Sequence, residues 1–175
     1  MRRRTVEAAL LALACLPGTA HALSSDRNQP VEIEADRGEL DDTKGLTTYE
    51  GRVVVTQGTL KITGDRVVLH YDKDRQVHRA EAYGKPATYE QLADGEKEPV
   101  RARALRMDYL VRDGVIELYD EATVTQAGDT LSSSRVTYDT VNNRVKATRS
   151  GNGDDRVRVI LAPKPKGGSG PGGAQ

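Results

Sequence analysis

The chain has no phenylalanine, no tryptophan and a single cysteine, Cys15, among its 175 residues. Its apolar core must therefore be built from Val, Leu, Ile, Ala and seven Tyr. Hydrophobic residues make up 37% of the chain and charged residues 30%, which favours one apolar sheet face over a thick globular core. Lys plus Arg equals Asp plus Glu at 26 each, so the chain lacks the basic surplus of a nucleic-acid-binding protein.

The first residues have the three parts of a secretory signal peptide. A basic start precedes the short apolar run Ala8–Leu16 and an A-x-A cleavage site at Ala20–Ala22, which predicts a cleaved signal over 1–22 and a periplasmic or extracellular location. An uncleaved anchor is less favoured, because the run is too short to span a bilayer. A lipoprotein signal at Cys15 is a second alternative, but Ala12 stands where leucine is usual. Cleavage removes the only cysteine, which excludes disulfides and thiol chemistry.

The other end of the chain predicts a disordered tail. Residues 163–175 are almost all Gly, Pro, Ser and Lys, a composition with nothing to pack into a core. The chain between the two ends is long enough for one domain, predicted over 23–162.

A short pattern occurs four times between the two ends. An apolar or small residue is followed by a small residue at the third position, an arginine at the fifth and mostly apolar residues at the sixth and eighth. The copies start 29, 40 and 29 residues apart, at Ile33, Ile62, Ala102 and Leu131. This spacing indicates two halves that each repeat a pair of smaller units, as in proteins built from stacked supersecondary motifs.

The pattern also predicts a bent sheet. Leu60 and Ile62 mark one face of a strand, but after Gly64 the apolar residues Val67 and Leu69 have the opposite parity. Side chains alternate between faces with period two, so this switch requires an extra residue or a corner. Because every copy switches at the same place, we expect an all-β fold of a dozen or more short antiparallel strands, folded along a line.

Catalytic patterns are not recognised in the sequence. His70 and His78 lack the spacing of a metal site and a base partner visible in the sequence, and the acidic residues cluster in turns. We therefore predict a protein that is not an enzyme and binds no metal or cofactor. The four repeated arginines Arg37, Arg66, Arg106 and Arg135 have two interpretations. They form either a ladder that binds anionic groups or, as we favour, an outer-face ladder that pairs with Asp and Glu on neighbouring strands.

Several ordered segments resemble the OstA-like family of lipopolysaccharide-export proteins. They are Gln29–Asp36, Tyr49–Gly58, Ile62–Val67 and Tyr83–Tyr89, and the resemblance extends over about 29–161. It implies a twisted antiparallel β-jellyroll, an open V in section, with an apolar groove for the acyl chains of lipopolysaccharide. It also implies a periplasmic bridge in which copies join head to tail and bind homologous domains of the inner-membrane and outer-membrane export proteins.

Strand parity suggests which residues face such a groove, although some of them will pack against each other. The candidates for the lipid-binding groove are Ile33, Leu40, Val53, Val55, Ile62, Val67, Leu69, Met107, Tyr109, Leu118, Val124, Leu131, Val136 and Tyr138. The terminal strands lack internal proline and are candidates for assembly through strand addition, unless loops or the tail cover them. Their residues on the apolar parity are Val31, Ile33 and Ala35 at one end and Val157, Val159 and Leu161 at the other.

Three rival interpretations remain open. A structural or adhesive repeat protein would polymerise through its edges and bind no lipid. A polysaccharide-acting β-solenoid enzyme would need a cluster of acids on one exposed face. A soluble paralogue within the family would serve a different envelope lipid.

Overall fold

The structure, a computed structural model, describes residues 26–93, 96–149 and 156–163. The predicted signal peptide at 1–22 and the predicted tail beyond residue 163 lie outside this range. A single 3-10 turn, Asp26–Asn28, precedes the strands. The strands are β1 (Glu32–Glu34), β2 (Arg37–Asp41), β3 (Leu46–Gln57), β4 (Leu60–Tyr71), β5 (Val77–Gln91), β6 (Val100–Leu110), β7 (Val115–Gln126), β8 (Asp129–Asp139), β9 (Arg144–Thr148) and β10 (Arg158–Ile160).

All these strands belong to one antiparallel sheet in the order β1-β3-β4-β5-β6-β7-β8-β10. Strand β2 pairs with β3 beside β1, and β9 pairs with β8 beside β10, so the two ends of the sheet do not pair with each other among the described residues. The predicted all-β, open antiparallel fold is confirmed. In the described parts of the chain, no helix is long and apolar enough to cross a membrane.

The prediction of a dozen or more short strands is wrong. In the described part of the chain the sheet has ten strands, and those in its middle are 11 to 15 residues long. Strand β5 runs without a break from Val77 to Gln91. It passes through Gly84 and Pro86 because a strand can bend at an irregularity and keep its pairing on both sides.

The bend in the sheet follows a line of register irregularities, as predicted. Neighbouring strands lose register between Glu50 and Val53, between Thr63 and Arg66, and at matching places in β5, β6 and β7. At Gly64 a Cβ atom would lie 2.7 Å from the Tyr83 carbonyl oxygen, so only glycine fits this corner. The first repeat differs, because Ala35 lies in a break between β1 and β2.

The corner divides the sheet into a first half, which contains β1 and β10, and a second half, which contains β2 and β9. Residues that face each other on neighbouring strands form rows across the sheet, and three rows of mostly apolar residues point inward. The first-half row is Ile33, Val55, Ile62, Tyr89, Ala102, Val124, Leu131 and Val159. The second half has two such rows. One consists of Leu40, Thr47, Leu69, Ala80, Tyr109, Ile116, Tyr138 and Val145. The other consists of Gly38, Tyr49, Val67, Ala82, Met107, Leu118, Val136 and Ala147.

The four repeated arginines lie in one outward row of the second half. The row reads Arg37, Glu50, Arg66, Tyr83, Arg106, Tyr119, Arg135 and Thr148. Arg135 reaches Glu117 at 3.0 Å, Arg106 reaches Asp108 at 2.7 Å, and Arg37 and Arg66 share Glu50 at 3.4 and 3.8 Å. Arg37, Arg66 and Arg135 thus pair with acidic residues on neighbouring strands, as the favoured interpretation expects, whereas Arg106 pairs with Asp108 on its own strand.

Candidate binding site between the two halves

The inner faces of the two halves pack against each other and enclose the apolar core. The cavity that remains among these side chains has a volume of only about 20 Å³. Its lining comes from both halves and consists of Val55, Ile62, Val67, Leu69, Ala80, Ala82, Tyr89, Met107, Tyr109 and Ile116. Ligand pockets usually measure about 300–1,000 Å³, so this interior is not a preformed lipid cavity.

The structure brings nearly all the predicted groove residues together in this interior. The buried members are Val53, Val55, Ile62, Val67, Leu69, Met107, Leu118, Val124, Val136 and Tyr138. Ile33, Tyr109 and Leu131 are partly buried and pack against them. Leu40 does not join the cluster: it lies on an inward row but is 58% exposed, because β2 is the last strand at its edge. Contact with lipid remains a prediction for all of them.

Sequence reasoning missed a second set of interior residues. The missed residues are Leu60, Ala80, Ala82, Ala87, Tyr89, Val100, Ala102, Ala104, Ile116 and Ala122. Half of them are alanines of β5 and β6, whose small side chain gives only a weak indication of the face it occupies. Ile116 could have been found, since it shares the parity of Leu118 on the same strand.

Two tyrosines meet across the interior. The rings of Tyr89 and Tyr138 contact each other edge to face, with centroids 6.4 Å apart. The Tyr89 hydroxyl donates to the Gln91 side chain, and the Tyr138 hydroxyl donates to Asn143 Oδ1 at 3.3 Å. Burial raises the pKa of Tyr89 far above its ordinary value and raises the pKa of Tyr138 to about 12. Both phenols therefore stay neutral at physiological pH, and the interior holds no tyrosinate charge.

The strand ends farthest from the corner form the mouth of the folded sheet. Here the strap, defined as Asp26–Asn28, lies against the first half. Asp26 is 5% exposed, and its carboxylate accepts hydrogen bonds from Thr59 N at 3.0 Å, Thr59 Oγ1 at 2.6 Å and Gln91 Nε2 at 3.1 Å. Burial acts to raise the pKa of Asp26, but these hydrogen bonds outweigh it and keep the pKa below its ordinary value. Asp26 is thus an ionised, hydrogen-bonded anchor at the mouth.

The strap also contacts the second half. The Arg27 guanidinium lies beside the Tyr109 side chain, and its positive charge opposes the rise in the pKa of Tyr109 that burial causes. Arg27 Nη2 lies 3.4 Å from the position of a Cβ on Gly114, in the turn after β6. Farther along the mouth, Gln126 Nε2 donates to Asn143 Oδ1 at 3.0 Å. Among the described residues the mouth is therefore bridged at two places, and the strap is the larger bridge.

The histidines are placed on the outer surface of the second half, near each other. His70 Nε2 lies 3.1 Å from Glu81 Oε1, a partner that the sequence did not reveal, and the rings of His70 and His78 are 6.2 Å apart. No group of three or more His, Cys, Asp or Glu side chains that could hold a metal ion occurs among residues 26–93, 96–149 and 156–163.

The predicted assembly residues lie at the two edges of the first half. Val31 is 49% exposed, Val157 45%, Val159 54% and Leu161 70%. Ala35 is exposed as well, and Ile33 is half-buried against Val55. Among the described residues, β1 and β2 pair only with β3, while β9 and β10 pair only with β8. Each edge therefore presents apolar side chains beside a free row of backbone groups.

The outward side chains of the two edges differ in charge. Strands β1 and β2 carry Glu32, Glu34 and Glu39, and these side chains form no ion pair with another described residue. Strands β9 and β10 carry Lys146 and Arg158, which likewise have no ion-pair partner in the described part of the chain. The edge that begins the sheet is thus mainly acidic, and the edge that ends it is basic.

These features define a class of all-β proteins in which a single antiparallel sheet folds along a line of bulges over an apolar interior and, in the part of the chain described, has two free edges. Residues 32–144 match the family described as LptA/(LptD N-terminal domain) LPS transport protein, and the chain belongs to this family.

Named relatives extend over most of the chain. The chain is 39% identical to lipopolysaccharide export system protein LptH of Pseudomonas aeruginosa, over 84% of this chain and 87% of that protein. It is 35% identical to lipopolysaccharide export system protein LptA of Escherichia coli K12, over 90% of this chain and 83% of that protein. It is also similar to the crystal structure of LptH, the LptA homologous periplasmic component of the lipopolysaccharide transport device of P. aeruginosa. That match has a TM-score of 0.74 and 38% identity, and it covers 79% of this chain and 99% of LptH.

Proposed function

We propose that this protein carries lipopolysaccharide through the periplasm by sheltering the acyl chains between the two halves of its folded sheet. The observation that supports this most directly is the continuity of the inward rows. One runs from Ile33 to Val159, another from Leu40 to Val145, and neither is interrupted by a charged residue. An acyl chain would meet apolar side chains from one edge of the sheet to the other.

The energy of such binding would come from apolar contact. Transfer of each CH₂ group out of water contributes about 0.8 kcal/mol, so several acyl chains provide enough free energy to replace contacts between the two halves. The sugar headgroup would remain at the mouth, where the strand ends and turns are polar. The named relatives are lipopolysaccharide export proteins, and LptH is a periplasmic component, which supports the same function and location here.

A matched pair of positions on β2 tests lipid contact. Leu40 and Glu39 are neighbours, and both are exposed, but Leu40 lies on an inward row and Glu39 on an outward one. A photo-crosslinking residue at either position leaves the buried core intact. The same change at Val67, which is 1% exposed, would disturb the core. In cells making labelled lipopolysaccharide, we expect lipid adducts at Leu40 and none at Glu39. Adducts at neither position in folded protein would favour the structural repeat protein, which binds no lipid.

A periplasmic bridge between the membranes requires copies of the protein to assemble through their sheet edges. The inward rows indicate the register in which a second copy would pair. If β1 of the second copy pairs antiparallel with β10 so that Ile33 faces Val159, the inward row continues across the junction. Glu34 of the second copy then faces Arg158. In the other half, pairing of β2 with β9 places Leu40 opposite Val145 and Glu39 opposite Lys146. Opposite charges on facing strands contribute about 0.2–1 kcal/mol each, so they favour head-to-tail order over pairing of two like edges.

Charge exchange tests this arrangement. Glu34→Arg or Arg158→Glu alone places like charges together and is expected to weaken self-association severalfold in sedimentation velocity runs. The double variant Glu34→Arg/Arg158→Glu restores an opposite pair and should recover association. Lys61→Glu, on the outer face of β4 away from both edges, serves as control. Equal association of all variants would contradict the proposed register. Homologous edges on the inner-membrane and outer-membrane proteins would join in the same way.

A further inference from the structure

The interior of the folded sheet is closed, although its inward rows suit an apolar ligand. A volume of about 20 Å³ is less than a tenth of the smallest usual ligand pocket, about 300 Å³. Side chains in the centre, such as Leu118 and Val136, are 0% exposed. An acyl chain can enter only if the two halves move apart at the mouth, since they are covalently joined at the corner.

The strap is placed where it opposes this movement. Asp26 is held by Thr59 and Gln91 of the first half, while the Arg27 guanidinium lies beside Tyr109 and Gly114 of the second half. The turn that receives Asp26 is shaped for it: a side chain on Gly58 would collide with the carboxylate, and the backbone there has a φ of +58°. A built seat of this kind indicates a specific contact.

The strap is also the part of the mouth that can move at least cost to the sheet. It lies before β1 and adds no strand to the ladder, and Asp26 and the Arg27 carbonyl are held to the sheet by hydrogen bonds that involve side chains. The other bridge joins Gln126, the last residue of β7, to Asn143 in the turn between β8 and β9, and strand pairing fixes both positions. Release of the strap therefore frees one part of the mouth without breaking a strand pair.

We propose that the strap is a latch on the lipid path: seated, it holds the two halves together, and it must leave Thr59 and Gln91 before lipopolysaccharide loads. This inference rests on the proposed function. A lipid whose acyl chains lie inside while its sugars remain outside needs a mouth that is open along its path, and the strap lies across that path. The latch also explains how an apolar interior stays shielded from water when the protein is empty.

A reversible disulfide tests the latch. In a Cys15→Ser background the chain has no other cysteine, and Asp26 Oδ2 lies 2.6 Å from Thr59 Oγ1, so Asp26→Cys/Thr59→Cys places two thiols close together. Radiolabelled lipopolysaccharide is offered in detergent micelles, and the fraction bound to immobilised protein is followed with time. We expect the oxidised variant to load at least tenfold more slowly than the same variant after reduction with dithiothreitol.

The outcomes separate the latch from the proposed function. Equal loading by the oxidised and reduced forms, with normal loading by the unsubstituted protein, overturns the latch and leaves the carrier function standing. Failure of the unsubstituted protein to bind lipopolysaccharide overturns both.

A second variant keeps the test independent of disulfide formation. Asp26→Ala removes the charge-assisted hydrogen bonds of the seat, and loss of one such bond corresponds to about tenfold in an equilibrium. We expect loading about tenfold faster than in the unsubstituted protein. The control Asp74→Ala removes an exposed carboxylate from the turn after β4 and should load at the original rate. An unchanged loading rate for folded Asp26→Ala contradicts the latch.

Discussion

The two faces of the sheet are built from the same strands by different physical means. On β7, Ile116 and Leu118 point inward and are almost fully buried, whereas Glu117 and Tyr119 point outward. On the inner face, side chains of complementary size pack together: the small Ala82 faces the larger Met107 on the next strand. On the outer face, polar side chains form ion pairs and cation–π contacts: Arg135 bonds to Glu117 and also lies over the Tyr119 ring.

This difference means that damage should spread on the inner face and stay local on the outer face. A buried side chain contacts many neighbours from both halves, so its loss leaves a cavity. An outward ion pair involves two or three groups that water can partly replace. Three substitutions test the contrast, in order of decreasing expected effect.

Leu118→Ala should have the largest effect. Leu118 is 0% exposed at the centre of a second-half row, and truncation of such a leucine costs about 2–5 kcal/mol. Urea unfolding followed by circular dichroism measures the change in the free energy of unfolding. Thr137→Ala, on the outward side of the neighbouring strand, is the matched control and should cost under about 0.5 kcal/mol. A similar loss for both variants would remove the distinction between the faces.

Tyr138→Phe sharpens the contrast through pH, because the inner face contains a titratable group. An unfolded tyrosine has a pKa near 10, whereas burial raises the pKa of Tyr138 to about 12. The unfolded chain loses this proton first, so the free energy of unfolding should fall as pH rises from about 10 to about 12. A shift of this size corresponds to about 2–3 kcal/mol.

The measurement compares Tyr138→Phe with the unsubstituted protein by urea unfolding at several pH values. Below pH 9 the two curves should run parallel, and above it the variant should lose stability less steeply. Identical slopes at alkaline pH would show that the Tyr138 phenol ionises as easily in the folded protein as in the unfolded chain.

Arg106→Ala should have the smallest of the three effects. Its guanidinium bonds to both oxygens of Asp108, at 3.0 and 2.7 Å, and lies 5.8 Å from the Tyr83 ring centroid and 5.0 Å from that of Tyr119. Because Arg79 also holds Asp108 at 2.7 Å, the buried carboxylate keeps one partner. We expect a loss of about 1–2 kcal/mol, measured by urea unfolding.

Two further variants separate the causes at this position. Arg106→Lys keeps the positive charge but loses the paired guanidinium hydrogen bonds and the planar stacking. Its free energy of unfolding should therefore lie between those of the alanine variant and the unsubstituted protein. Arg75→Ala breaks an exposed pair with Asp42 and should change stability by under about 0.5 kcal/mol. Full stability of Arg106→Lys would show that charge alone matters at this row.

Much of the contrast between faces was visible in the sequence. Period-two alternation predicted the burial of Val53, Val67 and Leu118, and the switch of parity at Gly64 predicted the corner. The spacing of the four arginines predicted one row, because equal repeats place equal positions in register. Leu40 shows the limit of this reasoning: it has the right parity, yet it is exposed because β2 has a neighbour on one side only.

The sequence by itself determined the fold class, the line of the bend and the assignment of side chains to faces, because these depend on local alternation and on the repeat. The tertiary structure decided that the two halves close on each other, that alanines of β5 and β6 complete the interior, and that Asp26 and Arg27 bridge the mouth. These features depend on contacts between residues far apart in the chain, such as Asp26 with Gln91. No local period encodes such contacts, because they form only after the sheet has folded along its corner.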